Sequence, residues 1–229
     1  MKTIEISHEK LTYDVDESFK SLRTNLLFCG EDKKAIAITS CTPGEGKSTV
    51  SFNLALSLAE SGKKVLFMDA DLRKSVIVGR TEVQEEIVGL SHFLSHQVNL
   101  TEAIYATNFP NFHIMFAGAY PPNPAELLGS RLFKELLRAT KSVYDYIIID
   151  APPLGSVIDA AVIADECDGS IFVMAAGTIS YRFAQEVKTQ LSKCNCPILG
   201  VIINKVDNKQ GYYGKYYGKY YGKYYGNEE

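Results

Sequence analysis

The chain has 229 residues, 46% of them hydrophobic and 22% charged, with a formal net charge of −3. That balance matches an ordinary soluble globule and excludes a disordered chain, a collagen-like repeat and a small disulfide scaffold. The weak negative charge gives no bulk attraction to nucleic acid, and no nucleic-acid partner is expected.

Length allows one large domain or two small ones. No stretch approaches the ~18 consecutive apolar residues of a membrane span. The first twenty residues carry charges throughout and lack the apolar core of a signal peptide. The five cysteines are odd in number and lack zinc-like spacing, which predicts a cytosolic chain with reduced thiols. The four histidines show no metal-like clustering with acids.

Taken in chain order, residues 16–28 place Phe19, Leu22, Leu26 and Leu27 at helical spacing, with Asp16 or Ser18 as possible caps. This helix precedes the first core strand and is expected outside the sheet. Residues 35–40 form a short apolar run that ends in a Pro/Gly-rich loop. Helical spacing follows over 49–58, with Gly62 as its stop. Further apolar strands are expected at 65–68, 112–116, 146–149, 170–175 and 198–203. Helices are expected at 130–143 and 180–192. Strands apolar on both faces and joined by helix-length connections predict an α/β fold with a mostly parallel sheet covered on both sides. Ligands then sit at the carboxyl ends of the strands.

The strongest local signal is Thr42-Pro43-Gly44-Glu45-Gly46-Lys47-Ser48-Thr49, between a predicted strand and a predicted helix. Glycines let several backbone N–H groups converge on a phosphate chain, and the helix adds its positive amino end. In this P-loop pattern Lys47 reaches the β- and γ-phosphates and the Ser48 hydroxyl binds Mg²⁺. An exposed Lys47 is expected, so its replacement should cost little stability. Cys41 stands where the usual pattern has glycine. Thr42 stands where the MinD/ParA ATPases carry an extra lysine, which counts against a close relationship to them.

Asp69 and Asp71 follow the apolar run 65–68, and Asp150 follows 146–149. Phosphoryl transfer needs acids to orient Mg²⁺ and one to accept the proton of the attacking hydroxyl. Three acids suffice for both duties. Asn204-Lys205-Val206-Asp207 also matches the N-K-x-D pattern that reads guanine, a weak signal in four residues.

The combination of Pro-Gly-Glu-Gly-Lys-Ser, Met-Asp-Ala-Asp-Leu-Arg, Ile-Ile-Ile-Asp-Ala-Pro-Pro and a tyrosine-rich tail resembles the bacterial protein-tyrosine kinases (BY-kinases) over nearly the whole chain. It is similar in particular to the separate cytoplasmic kinase subunits encoded beside capsule or exopolysaccharide export machinery in Gram-positive bacteria. The resemblance implies a P-loop NTPase-type fold that moves the γ-phosphoryl of ATP onto tyrosine. It assigns phosphate and Mg²⁺ binding to Lys47 and Ser48, the second nucleotide motif to Asp69 and Asp71, the third to Asp150, and a purine contact to Asn204, so ATP is favoured over GTP. The residues leave the jobs of Asp69 and Asp71 undivided. Asp71 is expected as the base contact, with Asp69 and Asp150 around the metal.

The resemblance further implies ring-like homo-oligomers built through the amino-terminal segment 1–28. There Glu17, Lys20 and Arg23 match the family's Glu-x-x-Arg-x-x-Arg, with one Arg replaced by Lys, which lacks the planar fork. It also implies a membrane adaptor that recruits the kinase to the inner face of the membrane and activates it, and a cognate phosphotyrosine phosphatase.

Residues 1–207 are thus expected to form one kinase domain, and 208–229 a flexible tail. The tail repeats Tyr-Tyr-Gly-Lys, which gives Tyr212, Tyr213, Tyr216, Tyr217, Tyr220, Tyr221, Tyr224 and Tyr225 as phosphoacceptors. Glycine at every fourth position opposes a helix. The 22 tail residues reach at most ~73–79 Å extended and ~26 Å root-mean-square as a coil, enough for transfer in trans. Residues 209–229 carry four lysines against two glutamates. This basic tail is expected to be drawn to a site presenting several aspartates. A P-loop ATPase switch without protein phosphotransfer fits the loop and the acids equally well, but gives the eight clustered tyrosines no purpose.

Overall fold

A computed structural model describes residues 1–83 and 85–206. The tyrosine cluster and the 208–229 segment lie outside these residues.

Among the described residues, eight strands form one sheet: β1 (Lys2–Ile4), β2 (Ala35–Ser40), β3 (Val65–Asp69), β4 (Tyr105–Thr107), β5 (Phe112–Met115), β6 (Tyr146–Asp150), β7 (Gly169–Ala175) and β8 (Ile198–Asn204). Their order is β1-β4-β5-β3-β6-β2-β7-β8. Every pairing is parallel except β4 with β5. The six strands expected from the sequence are present. The three-residue strands β1 and β4 are too short to leave a period-two signal, and they add one edge of the sheet.

The alternation of side chains sorts the core into two layers. Ile36, Ile38, Phe67, Ile148 and Val173 face one layer, which also holds Val50, Phe52, Leu54 and Leu58 of α2 (Lys47–Glu60). Phe52 meets Phe67 and Phe112 edge-on, with ring centroids 5.4 Å apart in each pair. Ala35, Ala37, Leu66, Met68, Ile147 and Ile149 face the other layer. That layer receives Phe133, Leu136 and Leu137 from α7 (Arg131–Lys141) and Val187 and Leu191 from α9 (Tyr181–Leu191). Ser130 and Ser180 cap those two helices through their hydroxyls, as serine does before an apolar periodic run.

Helix α1 (Tyr13–Leu27) packs outside α2, with Leu26 buried and Phe19 and Leu22 partly so. It starts three residues before the expected Asp16. Thr12 is the N-cap and Asp14 and Asp16 lie in the first turn, where carboxylates favour the helix dipole. Leu27, expected on the packed face, is exposed.

Among the described residues, five short helices carry no sequence signal: α3 (Ile77–Thr81), α4 (Leu90–Leu94), α5 (Leu100–Ala103), α6 (Pro124–Leu128) and α8 (Asp159–Ala164). At four to six residues each, they are too short to show helical periodicity. Among the described residues no helix is long and apolar enough to cross a membrane.

Candidate active site

Parallel pairing brings the carboxyl ends of β2, β6 and β3 side by side, with β6 in the middle. The loop from Cys41 to Gly46 leaves β2 there and turns into α2. Gly44 and Gly46 hold left-handed φ values of 84° and 86°, which glycine adopts without a Cβ penalty. Gly46 is also closely approached: a Cβ there would lie 2.1 Å from Asn204 Nδ2. Cys41 has no left-handed φ among the described residues, so a side chain is tolerated where the usual pattern has glycine.

Helix α2 begins with no side-chain cap and no acid in its first turn. Its first amides are left for an anion.

Glu45 braces this loop from inside. It is 2% exposed. Its carboxylate accepts from the Thr42 N–H at 2.8 Å and from the Ala175 N–H of β7 at 3.3 Å. From the end of β8, Asn204 Nδ2 donates to the Glu45 carbonyl at 2.9 Å and Lys205 Nζ to the Gly44 carbonyl at 2.6 Å. The end of the last strand is therefore tied to the phosphate loop.

Lys47 is buried, at 6% exposure, where the sequence reading expects it exposed. The reason is Asp150, whose Oδ1 accepts from Lys47 Nζ at 2.7 Å and from the Ser51 hydroxyl at 2.8 Å. Asp150 shares the strand parity of Tyr146 and Ile148, so it points to the α2 layer. Lys47 Nζ also lies 3.3 Å from Ser48 Oγ.

Asp69 is fully buried and faces the same layer. Its carboxylate accepts from the Ser75 hydroxyl and, at 3.2 Å, from the Asp71 N–H. Burial, then the neighbouring Asp150 charge, pushes its pKa up to about 7, against the opposing pull of Ser75 and Lys47.

A cleft of about 570 Å³ opens over these strand ends. It is walled by the phosphate loop other than Glu45, by the start of α2, by Asp71, Arg73 and Lys74, by Val76 and Arg80, by Pro152, Pro153, Ser156 and Val157, and by Lys205. Of the three acids, Asp71 lines it, while Asp69 and Asp150 lie beneath its floor. The cleft surface therefore shows one aspartate beside Arg73, Lys74, Arg80 and Lys205. That differs from the acidic site expected to attract a basic tail, because two of the acids are committed inside the protein.

Two further residues, Arg73 and Arg80, shape this site. Arg73 grips the fully buried Asp159 at the start of α8 through Nε at 2.7 Å and Nη2 at 3.0 Å, a fork that fixes one cleft wall. Arg80 of α3 donates to Thr49 Oγ1 at 2.6 Å. The Arg of Met-Asp-Ala-Asp-Leu-Arg was visible in the motif, but its partner 86 residues away was not.

On α1, Lys20 pairs with Asp16 and Glu17 within the helix at 2.8 and 2.7 Å. Arg23 turns inward and donates to the Ser57 carbonyl of α2 at 2.8 Å.

These features suit a nucleotide triphosphate: an uncapped helix start, a glycine-permitted cradle and a lysine that can exchange a carboxylate for phosphate. Among the described residues no cluster of three or more His, Cys, Asp or Glu side chains forms a metal site. A cation here would therefore complete its oxygen shell with phosphate and water, as Mg²⁺ does.

The fold and the loop define a P-loop NTPase. Residues 33–182 match the model of a family described as AAA domain. The chain is 43% identical over 216 residues to the tyrosine-protein kinase CpsD of Streptococcus agalactiae serotype III, covering 93% of each chain. Among solved structures it is similar to the chimerical protein CapA2B2, with a TM-score of 0.82, 29% identity and coverage of 90% of this chain and 94% of that one. It is also similar to the septum site-determining protein MinD of Pyrococcus horikoshii, solved with Mg-ADP, with a TM-score of 0.67, 30% identity and coverage of 77% and 72%. The chain belongs to the bacterial tyrosine-protein kinase family that includes CpsD, and is by that membership a tyrosine-protein kinase.

Proposed function

We propose that this chain is an ATP-dependent tyrosine autokinase that phosphorylates its own carboxyl-terminal tyrosine cluster in trans and thereby regulates capsular or exopolysaccharide synthesis and export. The observation that carries this reading is Asp71. It is the one of the three strand-end acids that lines the cleft together with the phosphate loop.

In the transfer, the tyrosine oxygen forms a bond to the γ-phosphorus of ATP and the bond to the β–γ bridging oxygen breaks, releasing ADP. The phenolic proton passes to the Asp71 carboxylate as charge develops. A free phenol has a pKa of about 10, so that acceptance matters in the transition state and little in the ground state. Lys47, released from Asp150, and the first amides of α2 hold the phosphates, with the backbone from Pro43 to Gly46 and with Thr49 lining the loop. Mg²⁺, when bound, would supply positive charge to the phosphates. Ser48 would hold it directly, with Asp69 and Asp150 behind it. Asn204, tied to the Glu45 carbonyl beside the loop, would contact the base. The relative solved with Mg-ADP supports this choice of nucleotide and ion.

The remaining parts of the proposal concern partners. A ring-like homo-oligomer through Glu17, Lys20 and Arg23 would present one copy's tail, residues 208–229, to the next copy's cleft. A membrane adaptor would recruit the chain from the cytoplasm to the inner face of the membrane, and a phosphotyrosine phosphatase would reset it. The chimerical nature of CapA2B2 supports an adaptor-linked arrangement.

The test uses γ-labelled ATP and two versions of the chain: a Lys47→Met variant with its tail intact, and an active chain ending at Asn208. Label on the Lys47→Met chain only when the two are mixed is the expected result. ATP hydrolysis without labelled protein in any mixture, or with the unaltered chain, leaves a nucleotide switch instead.

A further inference from the structure

We propose that Lys74 and Arg80 form a phosphate-reading pair beside Asp71 and favour an acceptor tyrosine whose neighbour is already phosphorylated. The inference rests on the tyrosine-kinase reading above, with the tail as acceptor.

The sheet order sets the geometry. β8 ends two strands from β2 on one side and β3 ends two strands from it on the other. Asn204 and Lys205 therefore flank one end of the phosphate loop, and the segment after β3 flanks the opposite end. That second end holds Asp71, Arg73, Lys74 and Arg80, all lining the cleft. In the proposed reaction the acceptor hydroxyl arrives at this end, beside Asp71.

The charges at this end do not cancel. Arg73 is neutralised by the fork to Asp159. The Arg80 guanidinium is bonded to the neutral Thr49 hydroxyl. The Lys74 backbone N–H, 3.0 Å from Asp71 Oδ1, holds Asp71 in place while its side chain is exposed. No salt bridge among the described residues engages Lys74 or Arg80. Two cations then stand against one carboxylate at the acceptor's entrance.

The acceptor sequence has a matching property. All eight tail tyrosines occur as adjacent pairs. Modifying one member places about −1.5 to −2 charges one residue from the other. A guanidinium fork and an ammonium suit that group, and such charge-assisted bonds are the stronger kind. The second transfer repeats the first: an oxygen–phosphorus bond forms at the remaining phenol, the β–γ bridge breaks, ADP leaves and the proton goes to Asp71. ATP is its sole co-reactant. Pairs should therefore fill to double occupancy before label spreads evenly along the tail.

The test uses the full chain with Mg-ATP and six-residue peptides Gly-Lys-Xaa-Tyr-Gly-Lys, where Xaa is phosphotyrosine or phenylalanine. The phosphotyrosine peptide should show kcat/KM higher by roughly tenfold, the scale of a charge-assisted bond. That ratio should shrink as salt rises from ~0.05 to ~0.5 M, because screening shortens. Lys74→Gln combined with Arg80→Gln should bring the ratio close to one, whatever the absolute rate. A ratio near one in the unaltered chain overturns the proposal, as does a ratio that ignores salt. A ratio that survives the double variant while its KM for ATP rises also overturns it, and gives these cations to the nucleotide. Absence of label on both peptides and on the chain itself, with ATP hydrolysis intact, overturns the underlying kinase reading together with this one.

Discussion

Asp69 and Asp150 are register partners at the ends of adjacent parallel strands, and both face the α2 layer beneath the cleft floor. Two carboxylates in such positions cannot both be charged at low cost. The structure answers with Lys47 and Ser51 on Asp150 and with Ser75 on Asp69. Lys47 thus has a structural partner at rest, one that it would exchange for phosphate in the proposed reaction.

That pair makes stability depend on pH. Asp69 has its folded pKa raised to about 7 from an ordinary 3.8. The folded state therefore binds more protons than the unfolded chain between these values, and stability falls as pH rises through that window. Asp69→Asn keeps an acceptor for Ser75 and removes the titration. Urea unfolding from pH 4 to 7.5 should show a decline for the unaltered chain and a flatter profile for the variant. Equal slopes would remove Asp69 as the source.

Replacing Lys47 with Met should abolish phosphotransfer and also weaken the fold. Asp150, 1% exposed, keeps the Ser51 hydroxyl and loses its cation. Removing one partner of a buried pair costs about 3–5 kcal/mol. The urea midpoint at pH 7 measures this. An unchanged midpoint would mean that the Lys47–Asp150 contact carries no stability.

Asp71→Asn should lower kcat by about 10²-fold or more with little change in KM for ATP, since a base acts in the transition state. Asp71 is 8% exposed, with one oxygen held by the Lys74 N–H, and Asn can accept the same bond. Steady-state kinetics on the tail or on a tyrosine peptide measure this. A normal kcat takes Asp71 out of the proton path.

The two left-handed glycines should respond differently to alanine. At Gly44 nothing lies within 4 Å of a built Cβ, so backbone strain alone applies, of order 1 kcal/mol. At Gly46 the Cβ would collide with the Asn204 amide. Gly46→Ala should therefore lose more stability and nucleotide affinity than Gly44→Ala, and adding Asn204→Ala should recover part of the difference. Thermal unfolding with and without Mg-ATP would show it. Equal losses would mean that Asn204 is free to move away.

Much of this protein was legible from local pattern. The core strands, the helices after β2, before β6 and before β8, and the phosphate loop all follow from apolar runs and glycine spacing, which act over a few residues. Asp69, Asp71 and Asp150 stood out because each interrupts or follows a buried run.

What the chain could not declare locally are relations between distant residues. Strand order decided that Asp150 lies under Lys47, that Asp69 faces Asp150, and that Asp71 is the acid on the cleft wall. It also joined Arg73 to Asp159 and the end of β8 to the phosphate loop. Burial and charge pairing are properties of neighbours in space. A parallel sheet sets those neighbours by crossovers of tens of residues, so the motifs named the chemical groups and only their packing assigned each one its partner.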